Sequence, residues 1–196
     1  MKVASLSGSR RESVGKKSTK QLRAQGLVPC VVYGNGEQIH FAAKENDVNK
    51  IIYSPDVYKV EIDVDGKKTF AIVQDLQQDP VTDKIRHIDF LRLDDKKPVK
   101  VGLPIKLVGN SRGVMNGGKL TTQFRKLAVV GLPNDLPDFI EINISDLKIG
   151  DAIRINQLDN QKLHFLAPQN AVVVAVRMSR KAVIDKTADA EADAKK

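Results

Sequence analysis

Two polar residues on one strand are the best candidates in this sequence for specific chemistry. In the segment Arg86-His-Ile-Asp-Phe90 polar and apolar residues alternate, and side chains two residues apart on a strand share a face. His87 and Asp89 should therefore point the same way, while Ile88 and Phe90 enter a core. One interpretation of the pair is a solvated polar face. The other is a hydrogen-bonding pair that reads base edges or 2′-hydroxyl groups of RNA.

A cluster of positive charge at the N-terminus offers a second kind of chemistry. Residues 1–28 hold seven Lys or Arg and one acid, and they supply +6 of the net charge of +8. Residues 29–95 are acidic, with 8 bases and 13 acids, so the cluster is a local face. Like charges at this density repel each other unless a polyanion neutralises them, which indicates nucleic acid. The cations are Lys2, Arg10, Arg11, Lys16, Lys17, Lys20 and Arg23.

Residue patterns typical of enzymes and metal sites are missing from the sequence. Cys30, His40, His87 and His164 have neither C-x-x-C nor H-x-x-x-H spacing. Cys30 lies in an apolar run, where an inert buried thiol is expected rather than a nucleophile. The nucleotide-binding and hydrolase motifs are also missing. We therefore expect no enzymatic activity, no metal site, no cofactor and no small-molecule substrate.

Length and composition indicate the class of protein. With 196 residues, of which 41% are hydrophobic, the chain can form one or two domains with real cores. It has no apolar run of the roughly 18–20 residues that would span a bilayer, no visible secretory signal, and one cysteine, which fits a reducing cytosol. Three Tyr and six Phe are too few for an extended base-stacking platform. We expect a cytoplasmic protein that binds structured duplex RNA rather than single strands.

A short helix is expected to present the N-terminal cations. Ser18 and Gln21 have the spacing of a capping box, and Gly26 suits a helix C-terminus. The sequence thus predicts a helix at about residues 19–25, with a lysine pair just before it. The free N–H groups and the dipole of such an N-terminus favour phosphate.

Strands account for most of the first half. The hairpin signal is strongest at Asp65-Gly66, between two segments of alternating residues. A second helix is predicted at 44–54, where Pro55 ends it. Six or so strands with two short helices in about 93 residues indicate a small closed or nearly closed barrel. The predicted strands are 3–6, 29–33, 38–43, 57–64, 69–74 and 85–93.

The second half is also predicted to be rich in strands. They are expected at 99–108, 120–130, 139–144 and 171–177, with a loop at 109–118 and no long helix. The fold class is therefore mainly β. We divide the chain into a barrel domain at 1–93, a polar linker at 94–98, a C-terminal β-rich domain at 99–178 and a flexible charged tail at 179–196, for which disorder is favoured.

Several segments together resemble one family. In order and spacing they are similar to the Ctc-type proteins of the large ribosomal subunit that bind 5S rRNA, the protein twenty-five family, in its long two-domain form. The resemblance covers about residues 1–178. The segments are Gly15–Gly26, Val28–Gly34, Gln74-Asp75, His87–Phe90, Val108-Gly109, Gly117–Leu120, Leu136–Asn143 and Leu147–Asp151.

The resemblance implies that the N-terminal barrel docks on an irregular duplex region of 5S rRNA. In the family, a basic segment contacts phosphates, and a tyrosine and an H-x-D-F strand contact the RNA groove. Lys17 stands where the family usually has a second glycine, and Gln21 where it has an arginine. We count Lys17 among the RNA-binding residues because it adds a charge to this segment. Carried over residue by residue, the other RNA-binding positions are Arg10, Arg11, Lys16, Ser18, Thr19, Lys20, Arg23, Tyr33, Gln74, His87 and Asp89.

A different class of function remains open at this point. The second half could recruit an acidic protein partner, which would make the chain an adaptor or a stress-linked translation factor. Its cations at Arg112, Lys119, Arg125 and Lys126 are open to contacts with neighbouring rRNA or ribosomal proteins, or to simple solvation. The position of the polar residues distinguishes RNA binding from the adaptor function, because the ordered polar set lies within residues 10–89 and not in the second half. The expected function is a structural constituent of the large subunit that binds 5S rRNA.

Overall fold

Alternating apolar and polar residues fold the first half of the chain into a barrel of six strands. In the computed structural model, which describes residues 1–158 and 163–179, the strands follow the order β1-β3-β2-β6-β5-β4, and parallel pairing of β1 with β4 closes the barrel. The predicted mainly β fold with a small closed barrel is confirmed. The strands are β1 Lys2–Arg10, β2 Leu27–Tyr33, β3 Ile39–Lys44, β4 Tyr58–Val64, β5 Lys67–Gln78 and β6 Ile85–Arg92.

Side chains of alternating strand residues fill the barrel. Ile88 and Phe90 of β6 are buried, and the rings of Phe41 and Phe90 lie 5.9 Å apart between centroids. Each such side chain contributes roughly 1.5–3 kcal/mol through burial. The predicted hairpin is confirmed at Asp65 and Gly66, whose φ angles of 53° and 80° are those of a turn with two left-handed residues.

The first helix begins earlier than the sequence predicts. Helix α1 spans Lys16–Ala24 and has Gly15 at its N-cap, without a side-chain cap. The capping box predicted at Ser18 was wrong, because the Ser18 hydroxyl donates to the Ser13 carbonyl, 3.4 Å away, from inside the first turn. The lysine pair therefore belongs to the helix rather than preceding it. The predicted C-terminus is confirmed, since Gly26 follows the helix with a φ of 74°.

The second helix, α2, spans Glu45–Ile52, close to the prediction. Val48 on its inner face is buried in the barrel core, and Ile51 and Ile52 pack against that core. The apolar stripe at i, i+3 and i+4 is thus the face that covers the barrel.

The remaining part of the described chain is β-rich, as predicted. One sheet has the order β10-β7-β9-β12, and the other has the order β11-β13-β8. A short helix, α3, spans Arg112–Met115, and a 3-10 turn spans Ile155–Gln157. The strands are β7 Val99–Val108, β8 Lys119–Thr122, β9 Lys126–Gly131, β10 Ile140–Asn143, β11 Ala152–Arg154, β12 His164–Phe165 and β13 Val172–Arg177.

Two predictions for this part were wrong in detail. The segment 109–118, expected to be a loop, contains α3, because the buried Ser111 side chain caps the helix by accepting from the Val114 N–H. The single strand predicted at 120–130 is divided into β8 and β9 by residues 123–125. Strands β11 and β12 were not predicted, because segments of three and two residues carry no readable alternation.

The described residues divide into two compact units. The first unit comprises residues 1–101 and 131–138, and the second comprises 102–130 and the chain from 139 onward. The domain limits drawn from the sequence stay a prediction. From residue 180 on, the predicted flexible tail lies outside the described residues. None of the helices in residues 1–158 and 163–179 is long and apolar enough to cross a membrane.

Candidate nucleic-acid interface

Four neighbouring elements of the barrel carry most of the predicted binding residues. Helix α1 packs on β2, β2 pairs with β6, and β6 pairs with β5. The burial pattern of β6 places Ile88 and Phe90 in the core and leaves His87 and Asp89 partly exposed. As the alternation predicts, the histidine and the aspartate share the outer face of the barrel.

The histidine and the aspartate lie in direct contact. The Nδ1 atom of His87 is 2.7 Å from Oδ1 of Asp89, and the side chains are 28% and 29% exposed. The contact has an ion-pair distance but lacks hydrogen-bond alignment, and Nδ1 itself is buried without an aligned partner among the described residues. The solvent-facing part of the imidazole is therefore its outer edge, which is free to meet a ligand.

A second carboxylate and a tyrosine extend this polar face. Asp75 on β5 lies directly opposite Asp89 on β6, an arrangement in which like charges repel. Burial, followed by the nearby charges of Asp89 and Asp75, raises the pKa of Tyr33. Hydrogen-bond donors supplied by a ligand, such as base amino groups or 2′-hydroxyls, would relieve this concentration of acceptors.

A β-bulge presents Gln74 to solvent. The register between β5 and β6 jumps from Val73 to Asp75, so Gln74 is the extra residue, and it is exposed. Bulges of this kind redirect a side chain and increase local strand twist. The amide thus stands beside the acidic pair as a group that can both donate and accept.

Arg23 connects the helix to the polar strand. Its Nε and Nη2 atoms donate to the carbonyl of Arg86, at 3.1 and 2.8 Å. Partial burial, followed by the neighbouring Arg86 and Arg11 charges, lowers the pKa of Arg23. The positive charges of Arg86 and Arg11 therefore both act on the Arg23 guanidinium, which makes this end of the face attractive to an anion.

Sequence reasoning missed the part that Arg86 has in this site. The Arg86 guanidinium lies 2.7 Å from a carboxylate oxygen of Asp79. The N–H groups of Val81 and Thr82, followed by the Arg86 charge, lower the pKa of Asp79. The sequence does place a basic residue directly before the His-Ile-Asp segment. Its role is visible only in the structure, where Arg23 of α1 donates to the Arg86 carbonyl of β6.

Three predicted residues have contacts inside the loop that leads into α1. Arg11 donates from Nη2 to the Ser13 carbonyl and to the Thr19 hydroxyl, at 3.3 and 3.2 Å. Thr19 in turn donates to the Gly15 carbonyl at 2.8 Å, and Ser18 donates to Ser13. These hydrogen bonds hold the loop in one conformation. Arg11, Ser18 and Thr19 therefore stabilise the predicted binding surface as well as forming part of it.

Four other cations project into solvent. Within residues 1–158 and 163–179, none of the four forms an ion pair. Lys2, by contrast, pairs with Asp56 and does not join this set. An open groove beside the helix is lined by Gly15, Lys16, Thr19 and Arg23. The four exposed cations, which we call the free cations, are Arg10, Lys16, Lys17 and Lys20.

The described residues contain no group of three or more His, Cys, Asp or Glu that could hold a metal ion. Cys30 is buried, as predicted, and burial raises the pKa of its thiol to about 12. At neutral pH the thiol therefore keeps its proton and is a poor nucleophile.

Comparisons with known proteins agree over most of the chain. The ribosomal L25p family matches residues 6–90, and the C-terminal domain of ribosomal protein TL5 matches residues 98–180. The chain is 46% identical over 185 residues to the large ribosomal subunit protein bL25 of Christiangramia forsetii, with 93% of this chain and 84% of that protein covered. It is 40% identical over 184 residues to the protein of the same name from Porphyromonas gingivalis, with 93% and 96% covered.

Proposed function

The chain belongs to the ribosomal L25p family and is a structural protein of the large ribosomal subunit, and we propose that its barrel binds 5S rRNA there. The observation that carries the proposal is that α1, with three of the free cations, lies next to the strands β2, β6 and β5, while Arg10 ends β1 of the same barrel. The polar set on these three strands is Tyr33, Gln74, His87 and Asp89. The role is structural rather than enzymatic, at the ribosome of a bacterial cytoplasm.

The free cations supply affinity in this proposal. Phosphate contacts by Lys and Arg release counterions, position the protein on the duplex and carry no sequence information. The free cations have no acidic partner among the described residues, so binding RNA breaks no ion pair. Arg11 and Arg23 add charge, and they also hold the loop and the helix in place through their contacts with Thr19 and the Arg86 carbonyl.

The polar strand residues supply specificity. Asp89 and Asp75 cannot favour RNA by charge, so a carboxylate in this position is useful only as an acceptor for a base amino group or as an orienting partner of His87. The wide, shallow minor groove of an RNA duplex exposes base edges and 2′-hydroxyls. Tyr33, Gln74 and the outer edge of His87 offer donors and acceptors of matching kinds.

Chemical footprinting of 5S rRNA tests the proposal. Large subunits containing the full chain should show a protected, irregular duplex region in 5S rRNA that is exposed in subunits lacking the chain. The double variant Lys16→Glu/Lys20→Glu should lose that protection, because both charges face the phosphates. The matched control is Lys50→Glu, since Lys50 lies on α2 and pairs with Asp47. Protection confined to other RNA, or unchanged in the double variant, would refute the proposal.

A further inference from the structure

The second unit has an exposed apolar surface that the proposed RNA site does not use. Val114 and Met115 of α3 are 41% and 76% exposed, and Met178, directly after β13, is 47% exposed. The Ser179 hydroxyl donates to the Gly117 carbonyl, which brings the chain after β13 next to the end of α3. We call the side chains of Val114, Met115 and Met178 the α3 patch.

The backbone beneath the α3 patch is firmly held. The buried Ser111 side chain donates to the Leu147 carbonyl at 2.8 Å, and the Gly113 N–H donates to the same carbonyl at 2.8 Å. A Cβ atom at Gly113 would lie 2.7 Å from the Lys148 backbone, so α3 lies directly on that loop. The exposed methionine at its end is therefore part of a fixed surface that does not fill the core of this unit.

Positive charge surrounds the α3 patch. Two of the cations face each other across the pairing of β8 with β13, one lies on α3, and one lies in the loop beneath it. None of them forms an ion pair with a described carboxylate. The loop also exposes Asp146 and Asp151, which leaves an excess of positive charge. The cations are Arg112, Lys119, Lys148 and Arg177.

We propose that the α3 patch is a docking site for an acidic protein segment that also carries apolar side chains. Exposed apolar side chains gain free energy when another apolar surface covers them, and flexible methionine adapts readily to such a surface. An RNA backbone presents mainly charged phosphates and ribose hydroxyls, and the α3 patch has no aromatic ring on which a base could stack. The surrounding cations select a negatively charged partner. The proposal concerns the second unit and does not depend on 5S rRNA binding.

Site-specific photo-crosslinking tests this docking site. A photoreactive amino acid replaces Met115 in the full chain, and large ribosomal subunits containing it are purified and irradiated. We expect a crosslink to another polypeptide, and mass spectrometry should show that the crosslinked peptide has a net negative charge and apolar residues. The same amino acid at Val81, which is 87% exposed in the first unit, controls for non-specific crosslinking and should not capture that peptide.

A charge reversal provides the second arm. Arg112→Glu places an acid in the first turn of α3, where the helix dipole tolerates it, so the helix should still form. The yield of the Met115 crosslink should fall by about fivefold or more through like-charge repulsion, while the amount of the chain in the purified subunits stays the same. Crosslinking to RNA alone, to a second copy of the chain or to a peptide without excess acid would overturn the proposal. The absence of any crosslink, or a yield insensitive to Arg112→Glu, would also overturn it.

Discussion

At the scale of single residues, the cations of the barrel fall into two groups with different contacts. Arg10, Lys16, Lys17 and Lys20 face solvent without an acidic partner among the described residues, whereas Arg11 and Arg23 donate to protein atoms. The first group can bind phosphate at no cost to the fold. The second group must keep its protein contacts in order to hold α1 against the strand that carries His87 and Asp89.

Arg23→Lys separates charge from positioning. Lysine keeps the positive charge but cannot reproduce the two parallel donors that bind the Arg86 carbonyl. We expect binding to 5S rRNA to weaken about fivefold, which corresponds to roughly 1 kcal/mol for a lost hydrogen bond, with an unchanged slope of log affinity against log salt. Arg23→Ala should weaken binding and also lower the slope, because a charge is lost. Fluorescence anisotropy at several salt concentrations measures both quantities.

The matched control for this variant is Lys20→Arg, which also exchanges one cation for the other on α1 but at a position without a protein partner among the described residues. Its affinity should remain within about twofold of the parent. A fivefold loss in Lys20→Arg as well, or no loss in Arg23→Lys, would show that the bond to the Arg86 carbonyl does not position the site.

The buried thiol of Cys30 gives a prediction about reactivity. Because the pKa of the thiol is raised to about 12 in the folded protein, against about 8.5 for a free cysteine, the folded state holds the proton up to high pH. Iodoacetamide at pH 8 should therefore leave the native protein unmodified and label it fully in urea. Mass spectrometry measures the labelling. Fast labelling of the native protein would contradict the burial of this thiol.

At the scale of secondary-structure elements, the alternation of residue types predicted the barrel strands, because each strand has one buried face. The side chains of His87 and Asp89 could be assigned to the outer face of the barrel for the same reason. The start of α1 could not be predicted, since Ser18 has the spacing of a cap but its hydroxyl bonds to Ser13 instead. The role of the Arg86 carbonyl as an acceptor for Arg23 also could not be predicted, because the two residues are 63 positions apart in the sequence.

Gly113→Ala tests how closely α3 packs against the loop that contains Lys148. The added Cβ would lie 2.7 Å from the Lys148 backbone, which cannot move away as a side chain could, so we expect a loss of roughly 1–3 kcal/mol in the free energy of unfolding. Gly102→Ala is the control, because its Cβ would meet a single atom at 3.9 Å, and its effect should stay within about 0.5 kcal/mol. Urea unfolding measures both, and equal losses would show that the close approach at Gly113 is not specific.

At the scale of the whole molecule, the net charge of +8 is unevenly distributed along the sequence. The first 28 residues supply +6, and the following acidic block to residue 95 carries 13 acids against 8 bases. Residues 96–180 carry 13 bases against 6 acids, so the second half of the chain has a positive excess of its own. Within the first 95 residues, the distribution concentrates the attraction for a polyanion around α1 and leaves carboxylates beside it. The cations of the barrel therefore provide affinity for RNA, and the polar strand residues provide discrimination between RNAs.

The most direct test of these two roles compares the affinity of Asp89→Ala for 5S rRNA with its affinity for a generic RNA duplex of equal length, at the same salt concentration. The expected result is a loss of about tenfold for 5S rRNA, the size of one specific base contact, and no loss for the generic duplex, since removing a negative charge does not weaken phosphate binding. Asp47→Ala, which removes a partly exposed carboxylate on α2 that pairs with Lys50, should change neither affinity. An equal loss on both RNAs would contradict the specificity role of Asp89.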